Sequence, residues 1–241
     1  MSDSQTTTPA PASKAVSVTS EKRWVLASNN KGKLAEFQRL FDQAHLGIEI
    51  IPQGQLNIED AIEDGLSFVE NAIIKARHAS RISGLPAVAD DSGLCVPTLG
   101  NAPGIYSARY AGDGASDQNN NAKLLAALES VPADQRTARF VCCCALFISG
   151  VARRTETETH DGDIVFNATG AESNTTPHTE IGTVEGRIAF DTSGPHGFGY
   201  DPLFIPNGHN KSFGELGATI KSAISHRAQA FKRLRTYLSA K

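Results

Sequence analysis

An α/β fold is the class that this sequence predicts. Short apolar runs of strand length alternate along the chain with longer segments whose apolar residues recur at helical spacing. The chain has 241 residues, of which 40% are hydrophobic, so it is long enough for a sizeable core. The order of the strands in the sheet is not readable from the pattern.

The N-terminal segment stands apart from this pattern. Residues 1–21 are rich in Ser, Thr, Pro and Ala and hold almost no large apolar side chain. Such a segment cannot bury enough surface to offset its ordering entropy, so we expect a disordered tail. It also lacks the apolar core and cleavage site of a secretory signal. Residues 22–241 are expected to form a single domain.

Charge, hydropathy and cysteine content exclude several classes of protein. The net charge of −3 predicts no general attraction to nucleic acid or to an anionic membrane. No apolar stretch approaches the roughly 20 residues of a membrane span. Besides Cys95, three consecutive cysteines at 142–144 lie in an apolar strand pattern. Neighbouring strand residues point to opposite faces, so we interpret them as buried small hydrophobes, with no disulfide framework, in a cytoplasmic protein.

The elements follow in order along the chain. Strands are predicted at 23–27, 47–51, 86–89, 140–148, 155–159 (exposed), 182–190 and 203–205. Helices are predicted from Lys31, from Ser67, over 116–129 and at the C-terminus, where Ile224, Ala228, Phe231, Leu234 and Leu238 share one face. Ser67 and Glu70 have the spacing of a capping box. Residues 160–180 look like a long loop or an insertion.

The turn SNNKGK lies between the first strand and the first helix, a common ligand site in α/β proteins. The start of a helix offers unpaired N–H groups and a positive dipole end, which suit phosphate. The turn comprises Ser28, Asn29, Asn30, Lys31, Gly32 and Lys33. The alternative is an ordinary polar turn with an N-cap, because the spacing of a phosphate-binding Walker A loop is absent.

Two adjacent carboxylates, Asp90 and Asp91, follow the apolar run at 86–89. Their position at a strand end predicts a site for a hard cation such as Mg²⁺, which needs few carboxylates. Mutual repulsion would raise one pKa, which suits a general base. Glu63 is a further candidate, because no packing role explains it in the loop before the helix from Ser67, and Lys75 would balance charge or touch a phosphate. The alternative for Lys75 is a solvated surface lysine.

Two stretches near the C-terminus complete the candidate site. The loop GFGYDP, residues 197–202, combines two glycines with Phe198, Tyr200 and Asp201, and one of its aromatic rings is expected to stack on a planar base. The stretch KSAISHR is predicted to place Lys221, His226 and Arg227 at the start of the final helix, where positive charge favours a bound anion. The alternatives are a tight turn with core aromatics and a surface histidine. Together the motifs fit a nucleoside triphosphate with Mg²⁺.

At this point the sequence resembles the Ham1-like inosine triphosphate pyrophosphatases, also known as XTP/dITP diphosphatases, from about Trp24 to Leu238. The motifs that carry the resemblance are SNNKGKLAEF, DGLSFVENAIIKARHA, ADDSGL, GNAPGIYSARYAG, GFGYDPLF and KSAISHR. The resemblance implies an elongated mixed sheet with two lobes of helices around a central active-site cleft. It implies hydrolysis of XTP, ITP or dITP to the monophosphate and pyrophosphate with Mg²⁺, by a cytoplasmic homodimer that keeps deaminated purines out of nucleic acids.

The resemblance also implies a role for each motif. Asp91 would accept a proton and bind the metal together with Glu63, with Asp90 beside it. Residues 28–33 would cradle the triphosphate, Lys75 would contact it, and Ser92 would bind substrate. The base and sugar would be held by Phe198, Gly199, Tyr200, Asp201, Lys221, His226 and Arg227.

Two departures from the family and two rival functions remain open. The N-terminal tail is extra, and residues 155–180 are longer than expected, which would affect dimer contacts or access. One rival is a Maf-like pyrophosphatase of modified pyrimidine nucleotides, against which GFGYDP and SHR argue. The other is a nucleotide-binding module without catalysis.

Overall fold

The computed structural model describes residues 22–148 and 176–240, and the backbone of 156–158 and 164–166. The strands are β1 (Arg23–Leu26), β2 (Glu49–Pro52), β3 (Ala87–Cys95), β4 (Thr137–Phe147), β5 (Glu156–Glu158), β6 (Ile164–Phe166), β7 (His178–Ile188) and β8 (Phe204–Pro206). The helices are α1 (Lys31–Ala44), α2 (Phe68–Ser83), α3 (Asp117–Ala127), α4 (Phe213–Ile224) and α5 (His226–Ser239). The predicted tail and most of the predicted insertion lie outside the described residues.

The main sheet has six strands in the order β2-β1-β3-β4-β7-β8. The first strand runs parallel to both its neighbours, whereas all the other pairs are antiparallel. A separate antiparallel pair is formed by β5 and β6. The predicted α/β class with a mixed sheet is therefore confirmed.

Strand alternation divides the core into layers. Trp24 and Leu26 of β1 pack with α1 and α5 on one face of the sheet, whereas Val25 and Ala27 pack with α2 on the other. A third cluster joins the far ends of β3 and β4 to α3, β8 and α4, and forms the second lobe. Both lobes therefore have a hydrophobic core of their own. Burying each large apolar side chain stabilises the fold by roughly 1.5–3 kcal/mol. No helix in the described ranges is long and apolar enough to cross a bilayer.

The prediction that the strand ends at Asp90 is wrong. β3 continues through Asp90, Asp91 and Ser92 to Cys95, and it pairs along its whole length with β4. Asp90 lies opposite Cys144 and Asp91 lies opposite Cys143. The strand continues because cationic side chains meet the carboxylates on each face.

Two predictions about helix ends also need correction. Lys221 lies in the last turn of α4, and Ser225 then caps α5, so Lys221 does not share a helix start with His226. At α2, Ser67 caps the helix as predicted, but the Glu70 carboxylate accepts a hydrogen bond from the N–H of Leu66 rather than from that of Ser67. The capping box is therefore only half formed.

Candidate active site

The turn between β1 and α1 is organised by its own side chains. Asn30 is the N-cap of α1 and accepts from the N–H of Lys33 at 3.0 Å. Ser28 Oγ accepts from the N–H of Asn30 at 3.2 Å. Asn29 donates to Asp60 at 3.0 Å and is thereby tied to a neighbouring loop. The turn thus combines an ordinary N-cap with a helix N-terminus that faces the second lobe.

An open edge of β3 lies beside this turn. β1 pairs with β3 only at Ala87 and Val88, and the backbone bonds there run from Val25 to Pro86 and from Ala27 to Val88. Beyond Val88, no described strand pairs with β3 on that side, because the chain has turned into α1. Asp90 to Gly93 therefore have a strand neighbour on one side only.

On the α1 and α5 face, Asp90 is surrounded by cations. Its carboxylate lies 3.0 Å from Lys33 Nζ and 2.9 Å from a terminal nitrogen of Arg227. Burial alone would raise the pKa of Asp90, but the charges of Arg227, Lys33 and Lys75 outweigh it and hold the pKa well below its usual value. Asp90 is therefore a buried permanent anion.

On the α2 face, Asp91 meets one close cation among the described residues. Its Oδ1 lies 2.7 Å from Lys75 Nζ, which also contacts Glu63 at 3.0 Å. Burial raises the pKa of Asp91, and Lys75 only partly opposes this effect. Asp91 Oδ2 is buried and has no hydrogen-bond partner among the described residues. A free carboxylate oxygen at an open strand edge can accept a proton or bind a cation.

Arg227 is held by a carboxylate that sequence reasoning missed. Glu36 of α1 is 1% exposed and accepts from Arg227 at 2.7 Å and from Ser225 Oγ at 2.9 Å. Burial would raise its pKa, but Arg227, Lys221 and His226 lower it to about 2. A signal was available, because Glu36 stands next to Phe37 in the buried face of α1, where a carboxylate needs a partner.

Charges of alternating sign connect the two lobes. The successive contacts are Asp201–Lys221 at 2.7 Å, Lys221–Glu36 at 3.3 Å, Glu36–Arg227 at 2.7 Å, Arg227–Asp90 at 2.9 Å and Asp90–Lys33 at 3.0 Å. The anion that we expected at the final helix start is thus supplied by the protein itself. The network links the 197–202 loop to the turn between β1 and α1.

A cleft of about 600 Å³, including its open mouth, lies between the lobes. Ten of the predicted site residues line it: Asn30, Lys33, Ser92, Phe198, Gly199, Tyr200, Asp201, Lys221, His226 and Arg227. The remaining turn residues, Ser28, Asn29, Lys31 and Gly32, do not line it, nor do Asp90, Asp91, Lys75 and Glu63. Asp90 and Asp91 belong to β3 itself, and Lys75 and Glu63 lie beside Asp91.

The aromatic residues of the loop have different environments. Phe198 is half-buried, with Lys221 Nζ 4.3 Å from its ring centroid, and a Cβ on Gly32 would clash with its ring. Tyr200 is buried, and its hydroxyl donates to the carbonyl of Ser107 at 2.9 Å. Phe198 is therefore the ring available for stacking, whereas Tyr200 fixes the cleft wall.

His226 is buried at the bottom of the cleft. Its ring stacks on Phe140 with centroids 4.7 Å apart and planes 10° apart. Burial and the charge of Arg227 lower its pKa well below the usual value, so it is neutral at pH 7. Its Nδ1 has no partner in the described part of the chain. A neutral imidazole with a free nitrogen is suited to reading a ligand by hydrogen bonding.

Six more residues of the cleft wall were not predicted, and three of them have polar side chains. These three are Ser107, Asp117 and Asn120. Asn120 donates to the carbonyl of Ala108 and accepts from the N–H of Ala111, so it shapes the loop that follows β3. Polar side chains on the first turns of α3 were the available signal, but only the tertiary structure shows what they touch.

The donor set fits a hard cation. Within the described ranges, no group of three or more His, Cys, Asp and Glu side chains forms a ready metal cage. Asp91, however, has an unpaired Oδ2, and Glu63 contacts Lys75, the lysine that also contacts Asp91. Mg²⁺ commonly takes one or two protein carboxylates and completes its shell with water and phosphate oxygens.

Fold and site together define an α/β protein whose cleft combines a helix N-terminus, lysines, buried carboxylates and an aromatic ring. Family comparison agrees with this class: the model of the Ham1 family matches residues 24–237. The chain therefore belongs to the Ham1 family.

Relatives and solved structures of this family cover nearly the whole chain. A dITP/XTP pyrophosphatase of Acinetobacter baylyi is 51% identical over 216 residues, which span 89% of this chain and 92% of the relative. One from Vibrio parahaemolyticus is 45% identical, with coverage of 91% and 98%. The structure of a HAM1 protein from Coxiella burnetii has a TM-score of 0.72 at 42% identity, covering 91% of this chain and 99% of its own.

Proposed function

We propose that this protein hydrolyses deaminated purine nucleoside triphosphates, namely XTP, ITP and dITP, to the monophosphate and pyrophosphate. The relatives from Acinetobacter and Vibrio carry the name dITP/XTP pyrophosphatase at 45–51% identity. The observation that carries the proposal is Asp91, which has one carboxylate oxygen bound to Lys75 and a second, buried oxygen without a partner among the described residues. The reaction would remove deaminated purines from the nucleotide pool.

The triphosphate is proposed to run along the β3 edge. The N-terminus of α1 offers backbone N–H groups and Lys33, whereas Lys75 approaches from the other face. Lys33 lies 3.0 Å from Asp90 and Lys75 lies 2.7 Å from the adjacent Asp91, so both lysines lie beside the same stretch of β3, where a phosphate chain would contact them. Ser28 to Lys33 and Ser92 complete the phosphate and substrate contacts.

The base is proposed to lie in the cleft between Phe198 and His226. A 6-keto purine presents an acceptor at C6, where adenine presents a donor. Arg227 is already bonded to Glu36, Asp90 and Ser92, so of Arg227 and His226 it is His226 that has a ring nitrogen with no partner in the described part of the chain. Since a buried polar group left unpaired is costly, such a contact rejects ATP strongly. Lys221 and Asp201 hold the loop around the base.

In the proposed reaction, Asp91 takes a proton from water as the water attacks the α-phosphorus. The lysines at positions 33 and 75 offset the charge that develops on the departing pyrophosphate. Asp90 stays ionised and fixes Lys33 and Arg227 in place. General base catalysis of this kind contributes roughly 10²- to 10⁴-fold.

Mg²⁺ is the proposed cofactor, with Asp91 and Glu63 as its protein ligands. When bound, it would neutralise phosphate charge and polarise the scissile region. Two expectations from the family resemblance also remain proposals, a homodimer and a cytoplasmic location. Light scattering coupled to gel filtration tests the first, and cell fractionation tests the second.

A steady-state panel tests the function. Pyrophosphate release should be fast from ITP, dITP and XTP and at least 100-fold slower from ATP, and should depend on Mg²⁺. GTP carries the same 6-keto group, so its rate measures discrimination at C2 separately. Preference for dUTP or methylated dTTP would instead indicate the Maf-like activity. Binding of ITP without pyrophosphate release would indicate a module without catalysis.

A further inference from the structure

We propose that Asp117 and Asn121 of α3 are positioning residues that hold Phe198 across the cleft and thereby set the affinity for the base. Neither residue belongs to the motifs that suggested the site. The inference rests on the proposed function, because it concerns how the base side of the same cleft is built.

The observation behind it is a clamp on one backbone unit. Asp117 Oδ2 accepts from the N–H of Gly199 at 2.6 Å, and Asn121 Nδ2 donates to the carbonyl of the same residue at 2.9 Å. The two side chains are four residues apart, so they lie on one face of α3. Gly199 has φ of 61°, in the left-handed region. Helix α3 therefore fixes both the N–H and the carbonyl of Gly199, a residue whose backbone is otherwise free to adopt many conformations.

The clamp controls where Phe198 points. The Phe198 ring packs against α1 of the opposite lobe, and a Cβ at Gly32 would clash with this ring. The N–H of Phe198 donates to Asp201 at 2.9 Å, and Tyr200 is tied to Ser107. Releasing Gly199 would loosen the position of Phe198, because the clamp holds the residue directly after it, although the backbone bonds between Phe198 and Asp201 would stay in place.

Asn121 separates positioning from substrate contact. It is 5% exposed and lines a groove on the outer side of the loop rather than the cleft, so it reaches the base only through Gly199. Its amide orientation is fixed, because reversing it would place an oxygen against the Gly199 carbonyl. Asp117 lines both the groove and the cleft.

The test compares two product inhibitors in the full-length protein. IMP reports on the base side of the cleft, and pyrophosphate reports on the phosphate side alone. Asn121→Asp removes the amide donor and keeps the side chain nearly the same shape. The inhibition constant for IMP should then rise about tenfold, which corresponds to the loss of one hydrogen bond. KM for ITP should rise with it. The pyrophosphate constant and the rate at saturating ITP should change less than twofold.

Matched variants check the cause. Asp117→Ala should behave like Asn121→Asp, whereas Asp117→Asn keeps an acceptor and should restore most of the IMP affinity. Gln118→Ala, an exposed residue of the same turn that lines the outer groove, should behave as wild type. Thermal unfolding of each variant verifies that it is folded.

The possible failures are distinguishable. If wild-type protein releases no pyrophosphate from ITP, the proposed function is wrong. If it does, and the clamp variants bind IMP as wild type does or lose IMP and pyrophosphate affinity equally, the positioning role is wrong.

Discussion

Asp90 and Asp91 are neighbours in sequence and differ in almost everything else. Strand alternation turns Asp90 toward α1 and α5, where Lys33 and Arg227 hold it as an anion, and turns Asp91 toward α2, where it pairs with Lys75. The pKa of Asp90 is lowered, whereas that of Asp91 is raised. The comparison teaches that the number of cations on each face, rather than the repulsion between the pair, decides which carboxylate is structural and which is available for chemistry.

The largest effect is expected for Asp91→Asn. Removing the proton acceptor should lower pyrophosphate release from ITP by about 10²- to 10⁴-fold. The midpoint of thermal unfolding should stay close to that of wild type, because burial already disfavours the charge of this carboxylate. Turnover within threefold of wild type would contradict the assignment of Asp91 as the base.

The matched change on the other face is Asp90→Asn. It should destabilise the protein by roughly 3–5 kcal/mol, because Arg227 and Lys33 lose the carboxylate that balances them in a buried site. Urea unfolding of both Asn variants measures this. Equal stabilities of the two variants would mean that the faces do not differ as described.

The same network predicts a pH dependence through Glu36. Its folded-state pKa of about 2 lies below the ordinary value of 4.5, so its contribution of roughly 3 kcal/mol is present at neutral pH. The unfolded chain binds more protons between these values, so this stability is lost as pH falls from about 4.5 to 2. Glu36→Gln should flatten the free energy of unfolding across this window. Parallel pH curves for variant and wild type would rule out this role.

The smallest effect is expected for Cys142→Ala. The Cys142 thiol lies 3.7 Å from Asp90 Oδ2, but thiols are weak donors and this carboxylate already has two cationic partners. Stability should fall by about 1 kcal/mol or less, and pyrophosphate release should be unchanged. A loss comparable to that of Asp90→Asn would show that the thiol, rather than the cations, holds the carboxylate.

Local sequence patterns predicted most of the helices and strands but not the contacts between them. The helices that begin at Lys31 and after Ser67 and Ser116 were predictable, because each N-cap side chain bonds to backbone within its own turn. The end of β3 was mispredicted, because two adjacent carboxylates normally mark a turn. They remain in the strand only because Lys33, Arg227 and Lys75 arrive from distant parts of the chain.

Sequence by itself determined the class of fold, the motif residues of the cleft and the helix N-terminus that faces it, because these depend on periodicity and on groups close along the chain. Tertiary structure alone decided that Glu36 holds Arg227 and that α3 clamps Gly199. Partners separated by 191 and 82 residues leave no local pattern. A buried charge or a backbone N–H shows its role only when folding brings its partner into contact.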